Sequence, residues 1–232
     1  MKKISFALTV CLAFCAGFNA PGQAEKNFTD SFEVDKSELS SQGANLYFKL
    51  IPGFQLLLEG KDKRKKVVLT ITVLNETRAV DGVETRVVEE RETEDGELIE
   101  ISRNYFAISK KTGDVFYFGE NVDMYENGKV VGHGGAWLSG VAGARFGLMM
   151  PGSASLGARY YQEIAPKVAM DRAEIVSLTD TLETPAGKFE KCLKVEETTP
   201  LEKGTSHKVY APGIGLIADG GLKLVKHGQV QP

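Results

Sequence analysis

The residues of this 232-residue chain that could do chemistry are three histidines, one late cysteine, a run of acids and a set of aromatic and methionine side chains. His133, His207 and His227 stand isolated in sequence. His133 and His207 together with Glu163 would suit zinc or copper, since imidazole and carboxylate ligands fit those ions. Their spacing does not demand a metal, and surface or hydrogen-bonded histidines are the plainer reading. The acidic run "EERETEDGE", 89–97, lacks the ligand alternation and glycine spacing of an EF-hand loop. It reads instead as a solvated hairpin tip. Cys192, in "KFEKCLKV", shares a mostly charged face and has no activating neighbour in sequence, so it reads as a bystander thiol. The chain has no G-x-S-x-G elbow, no P-loop ending or dinucleotide fingerprint, and no H-E-x-x-H or paired CxxC zinc signature. No catalytic residue and no cofactor is assigned, and the expectation leans away from an enzyme.

The more suggestive set is Trp137, Phe146, Met149, Met150, Tyr160 and Tyr161. Methionines and aromatics adapt to apolar ligands of variable shape. The same residues also make ordinary barrel core. Several fall in the glycine-dense stretch "GGAWLSGVAGARFGLMMPGSASLG", 134–157, where ordering a regular element costs backbone entropy. A loop both glycine-rich and apolar is expected to pack against something or cover it. Trp137, Phe146, Met149, Met150 and Tyr160 are therefore the candidate ligand-binding residues.

Strands must position these groups. Apolar runs of five to ten residues alternate with turn dipeptides such as Asp81-Gly82, Asp95-Gly96 and Asn127-Gly128, which accept the positive φ of type I′ hairpin turns. Between turns the period is two: in "KVVLTITVLN" Val67, Leu69, Ile71 and Val73 share one face. The best helical window, Lys167 to Leu178, fits a strand equally well. The reading is all-β, an antiparallel meander of about ten to twelve strands forming a barrel, half-barrel or sandwich. The basic run "KDKRKK", 61–66, reads as a charged hairpin tip.

The start of the chain reads as an address. Lys2 and Lys3 precede an apolar stretch from Ile4 to Phe18 and a small-x-small site ending at Ala24, the pattern of a signal peptide over 1–24. Residues 25–45 are polar and are expected to be a flexible N-terminal segment. Residues 46–232 are expected to form a single β-rich domain. Cleavage removes two lysines and no acid, taking the net charge from −3 to −5, which argues against a nucleic-acid surface. It also leaves Cys192 as the sole cysteine. No later stretch reaches the ~20 apolar residues of a transmembrane helix.

"LYFKLIPGFQLLLEG" (46–60), "MPGSASLGARYYQEIAP" (150–166) and "TPAGKFEKCLKVEETTPLEKGTSHKVYAPGIGLI" (184–217) resemble an uncharacterised family of bacterial exported proteins and lipoproteins related to the TapB-like periplasmic β-proteins. The resemblance implies secretion, to the periplasm or exterior of a Gram-negative bacterium, and a β-rich, barrel-like fold with "PAGKF" and "YAPGIGL" as structural turns. It brings no catalytic residues. The resulting expectation is a non-enzymatic exported protein that binds a lipid-like or other apolar ligand. The alternatives are a metal protein built on His133, His207 and Glu163, or an envelope scaffold for another protein.

Overall fold

The computed structural model describes residues 27–230; the leader expected at 1–24 lies outside them. The described residues hold one 3-10 turn, Lys36–Glu38, and no α-helix. Three short strands come first: β1 (Leu39–Ser40), β2 (Gly43–Ala44) and β3 (Lys49–Leu50). Five long ones follow as a meander: β4 (Phe54–Asp62), β5 (Lys65–Val80), β6 (Val83–Glu94), β7 (Glu97–Ser109) and β8 (Val115–Glu126). The tips Asp81-Gly82, Asp95-Gly96 and Asn127-Gly128 all take positive φ at both residues, as the hairpin reading required. Next come β9 (Lys129–Gly132), β10 (Trp137–Leu138), β11 (Arg145–Met150), β12 (Arg159–Tyr161) and β13 (Glu163–Ile164). The chain ends with β14 (Arg172–Thr184), β15 (Gly187–Thr198), β16 (Ser206–Ala211), β17 (Gly215–Asp219) and β18 (Leu222–Gln229). The stretch that fitted helix or strand therefore enters strand β14.

The main sheet is antiparallel and runs β12-β14-β15-β16-β17-β18-β4-β5-β6-β7-β8-β11-β13, while β2 and β3 form a small second sheet. The two ends of that path, β12 and β13, are separated in the chain by Gln162 alone. One extended stretch thus pairs with β14 through its first half and with β11 through its second, and the sheet nearly closes into a barrel. The expected ten to twelve strands undercount this path of thirteen. The closing stretch is split at Gln162, and the glycine-dense segment, expected to be a packed loop, supplies β10 and β11. Gly147 shows why glycine is used there: a Cβ on it would lie 2.4 Å from the Gln162 carbonyl oxygen.

Val67, Leu69 and Val73 face the main core as the period-two pattern required, together with Leu56, Leu58, Val88, Phe106 and Leu224. A second apolar cluster, Val83, Val87, Tyr105, Phe116 and Phe118, forms separately, and Phe32, Val34 and Leu39 pack against it or belong to it. Within the segment expected to be flexible, residues 29–40 make defined contacts with the barrel. Thr29 bridges to Tyr160 and Leu39–Ser40 pair with β7, because Phe32, Val34 and Leu39 give an otherwise polar stretch something to bury. The facing expected of Cys192 is also corrected. Lys191 sits at φ +55, and the β14–β15 register shifts nearby. The bulge turns both Cys192 and Leu193 inward, and both are fully buried.

Candidate functional site

Cross-strand registers on β6, β7 and β8 build one wall of the lumen. Glu90 stands opposite Ser102, and Glu92 opposite Glu100. On the next pair Asn104 stands opposite Glu120 and Ser102 opposite Val122. Because side chains alternate, Glu90, Glu92, Glu100 and Ser102 share the face that Val88 and Phe106 present to the core. Glu120 joins them through a bulge. Phe106 pairs with Tyr117 but Asn104 with Glu120, so β8 carries one extra residue between them. Gly119, at φ +131, absorbs it. Without that residue, simple alternation from Tyr117 would aim Asn121 inward and Glu120 outward.

The facing wall comes from β15, β16 and β17. Lys208 Nζ lies 2.9 Å from Glu197 Oε2 and 3.9 Å from Asp219 Oδ2. Glu197 is 6% exposed, yet its Oε1 has no hydrogen-bond partner, and neither has the buried Tyr160 hydroxyl. Glu163, on the closing stretch, accepts from the Trp137 indole Nε1–H at 3.0 Å. Gln162 and Asp171 complete this side. Together these residues line a partly open cavity of about 190 Å³. A smaller space of about 90 Å³, lined by Phe54, Leu56, Val73, Phe106 and Leu216, shares Glu90, Met149, Lys208 and Asp219 with it. The lumen is thus acidic with an apolar arm.

So many carboxylates in one enclosure resist ionisation. Burial first, then the nearby Asp219 and Glu197, push Glu90 up to about 7 against the pull of Lys208. Burial and then Glu100 push Glu92 up to about 8. Glu100 rises to about 7 by burial and Glu90, and Glu120 to about 8 by burial, Glu90 and Glu100. Burial and Glu197 bring Asp171 to about 6. Glu163 is held well above the ordinary carboxylate range by burial, Asp171 and Glu120. Burial alone would lower the Lys208 ammonium, but Glu197 and Asp219 beside it hold it well above its ordinary value.

Of the five residues expected to line a ligand site, Met149 borders both spaces. Trp137 is buried behind Glu163, and Met150 and Tyr160 are buried in the main core. Phe146 is corrected: it stacks on Phe118 at 4.9 Å in the second cluster, on the opposite side of the wall. Tyr161 meets Phe28 edge-on at 6.1 Å. The residues proposed for a metal do not converge. His133 is 67% exposed and its Nδ1 lies 2.9 Å from Asp123. His207 lies 3.6 Å from Glu196 on the opposite side of β15 from Glu197. Glu163 is inside. Among the described residues no group of three or more His, Cys, Asp or Glu side chains is arranged to hold a metal ion.

Reading the acidic run 89–97 as a solvated tip missed Glu90 and Glu92. The signal was present: Val88, Glu90 and Glu92 are in phase, as are Glu100, Ser102, Asn104 and Phe106. One end of each series is apolar, so the acids inherit its inward face.

No family model matches the chain, and no curated protein matches it. Among solved structures, a protein of Parabacteroides distasonis ATCC 8503, named as a lipoprotein, is similar at 15% identity and a TM-score of 0.40. The match covers 81% of this chain and 100% of that chain. No helix among the described residues is long and apolar enough to cross a membrane.

Proposed function

We propose that this chain is an exported envelope protein whose barrel holds one small organic molecule in its lumen and releases it chemically unchanged. Export rests on the leader pattern of residues 1–24. Binding rests on one observation: a partly open space of about 190 Å³ is lined by Glu197, whose buried Oε1 has no hydrogen-bond partner. A buried acceptor left without a donor is costly, and a small rotation of the Glu197 carboxyl toward the lumen would let a guest supply one.

The volume bears on the guest. Pockets for drug-sized ligands run to roughly 300–1,000 Å³, so a space of about 190 Å³ favours a compact molecule. The apolar arm at Phe54 and Leu216 is the part of the lumen that suits the apolar ligand expected from sequence. The metal reading has less behind it, since His133 and His207 point away from Glu163. The scaffold reading is separated by crosslinking in the native host, where one dominant protein partner would support it.

Native mass spectrometry of protein released gently from its host tests the lumen directly. Wild type should carry a low-mass guest that is absent from Ser102→Trp, whose indole would fill the space. Repeatedly empty wild type, with Trp137 emission unmoved by amines, acids and lipids, would remove the reading.

A further inference from the structure

The lumen is short of cations. Glu90, Glu92, Glu100 and Glu120 face Glu197 and Asp219 across it; Lys208 is the basic side chain set among them, and Lys49 lies over the Phe54 ring at the apolar arm. Lys208 also shows how this wall accepts an ammonium, at 2.9 Å from Glu197 and 3.9 Å from Asp219. The second Glu197 oxygen remains unpartnered at 6% residue exposure. Buried carboxylates are stable when protonated or when paired with a positive group. A positive guest satisfies them without the proton.

Two features give the guest its shape. The acids are spread around the lumen, and among the described residues none converge as a metal cage. A point cation cannot meet them all, whereas charges spaced along a chain can. The space is also small. A cavity of about 150 Å³ holds benzene, so about 190 Å³ with its 90 Å³ arm takes a guest on the order of six to ten heavy atoms. Methylenes suit the arm at Leu56 and Leu216, and ammonium groups suit the acid wall.

We infer that the guest is a short aliphatic diamine or polyamine, an assignment that rests on the lumen being a binding site. Glu90 lies in the field of Lys208, Asp219 and Glu197, and Glu92 in that of Glu100, Glu94, Glu90 and Asp219. Protons therefore compete with the amine for the same oxygens, and affinity falls as pH drops from 8 to 6.

Calorimetric titration of the purified protein with putrescine and spermidine at pH 8 and low salt tests this. Saturable one-to-one binding is expected, weakened about tenfold or more in Glu90→Gln/Glu92→Gln and unchanged in Glu126→Gln, an exposed acid on the tip of β8. Melting curves confirm that each variant is folded. Equal binding by the lumen and surface variants, no amine binding, or tighter binding of calcium or decanoate each overturns the polyamine assignment. If host-isolated protein still carries a mass that Ser102→Trp lacks, only the guest class has failed. If it carries none, the lumen reading fails with it.

Discussion

Glu92 and Glu100 stand directly opposite one another across β6 and β7, both on the face that lines the lumen. Like charges in that position repel when both ionise, and their carboxyls hold protons to about 8 and about 7, above an ordinary value of 4.5. The folded chain thus keeps protons that the unfolded chain has released. This contribution to stability is fully present below about pH 4.5 and is lost as pH rises through 7 to 8.

Glu92→Gln should therefore melt above wild type at pH 8.5 and level with it at pH 5. Each kcal/mol relieved corresponds to about 2–4 °C in a domain of this size. Thermal unfolding followed by circular dichroism at the two pH values reads this directly. An offset of the same size at both would show that Glu92 does not hold an extra proton in the fold.

Gly119 is the residue that aims Glu120 into the lumen. Its φ is +131, and a Cβ would lie 2.3 Å from the Trp137 carbonyl oxygen. Gly119→Ala should cost about 2–3 kcal/mol from strain at such a φ and the displaced β10 contact. Urea unfolding measures the loss. A variant as stable as wild type would mean that the bulge relaxes without disturbing β10.

The sequence was most informative where chemistry and period coincided. Hairpin tips were legible because Asp-Gly and Asn-Gly meet a positive-φ requirement that few other pairs meet. The inward face of β5 was legible because Val67, Leu69, Ile71 and Val73 recur at every second position, with Thr70 and Thr72 between them. The site was not, because its acids sit at inward positions where charge is unexpected, and clustered charge normally marks solvent. Bulges hid more. One extra residue at Gly119 or at Lys191 reverses the facing of everything beyond it, and no local pattern announces the reversal. Barrel closure depended on Gly147 meeting the Gln162 carbonyl, a contact between segments that composition cannot reveal.

Arg86 ties the N-terminal segment to the barrel. It is 5% exposed, and its guanidinium donates to the carbonyls of Ser41 at 2.8 Å, Glu76 at 3.2 Å and Leu74 at 3.4 Å. Arg86→Met would keep some of the packing but leave those carbonyls without the charged donor, a loss of about 3 kcal/mol. Limited trypsin digestion should then cut at Lys36 before the barrel is degraded. If the barrel and Lys36 are cut together, Arg86 stabilises the fold as a whole and does not act as a clamp on this segment.

Trp137 offers an optical view of the lumen, because it is the chain's one tryptophan and its indole donates to Glu163 at 3.0 Å. Burial and the neighbouring Asp171 and Glu120 keep the Glu163 carboxyl protonated well past the ordinary range. As pH rises and Glu163 ionises, the indole N–H changes from a neutral to a charged acceptor, and its emission should shift. Glu163→Gln keeps an acceptor oxygen but cannot ionise, so its emission should stay flat over the interval in which wild type moves. Identical titrations of the two proteins would assign the change to another group near the indole, of which Tyr117, at 5.3 Å between ring centroids, is the first to test.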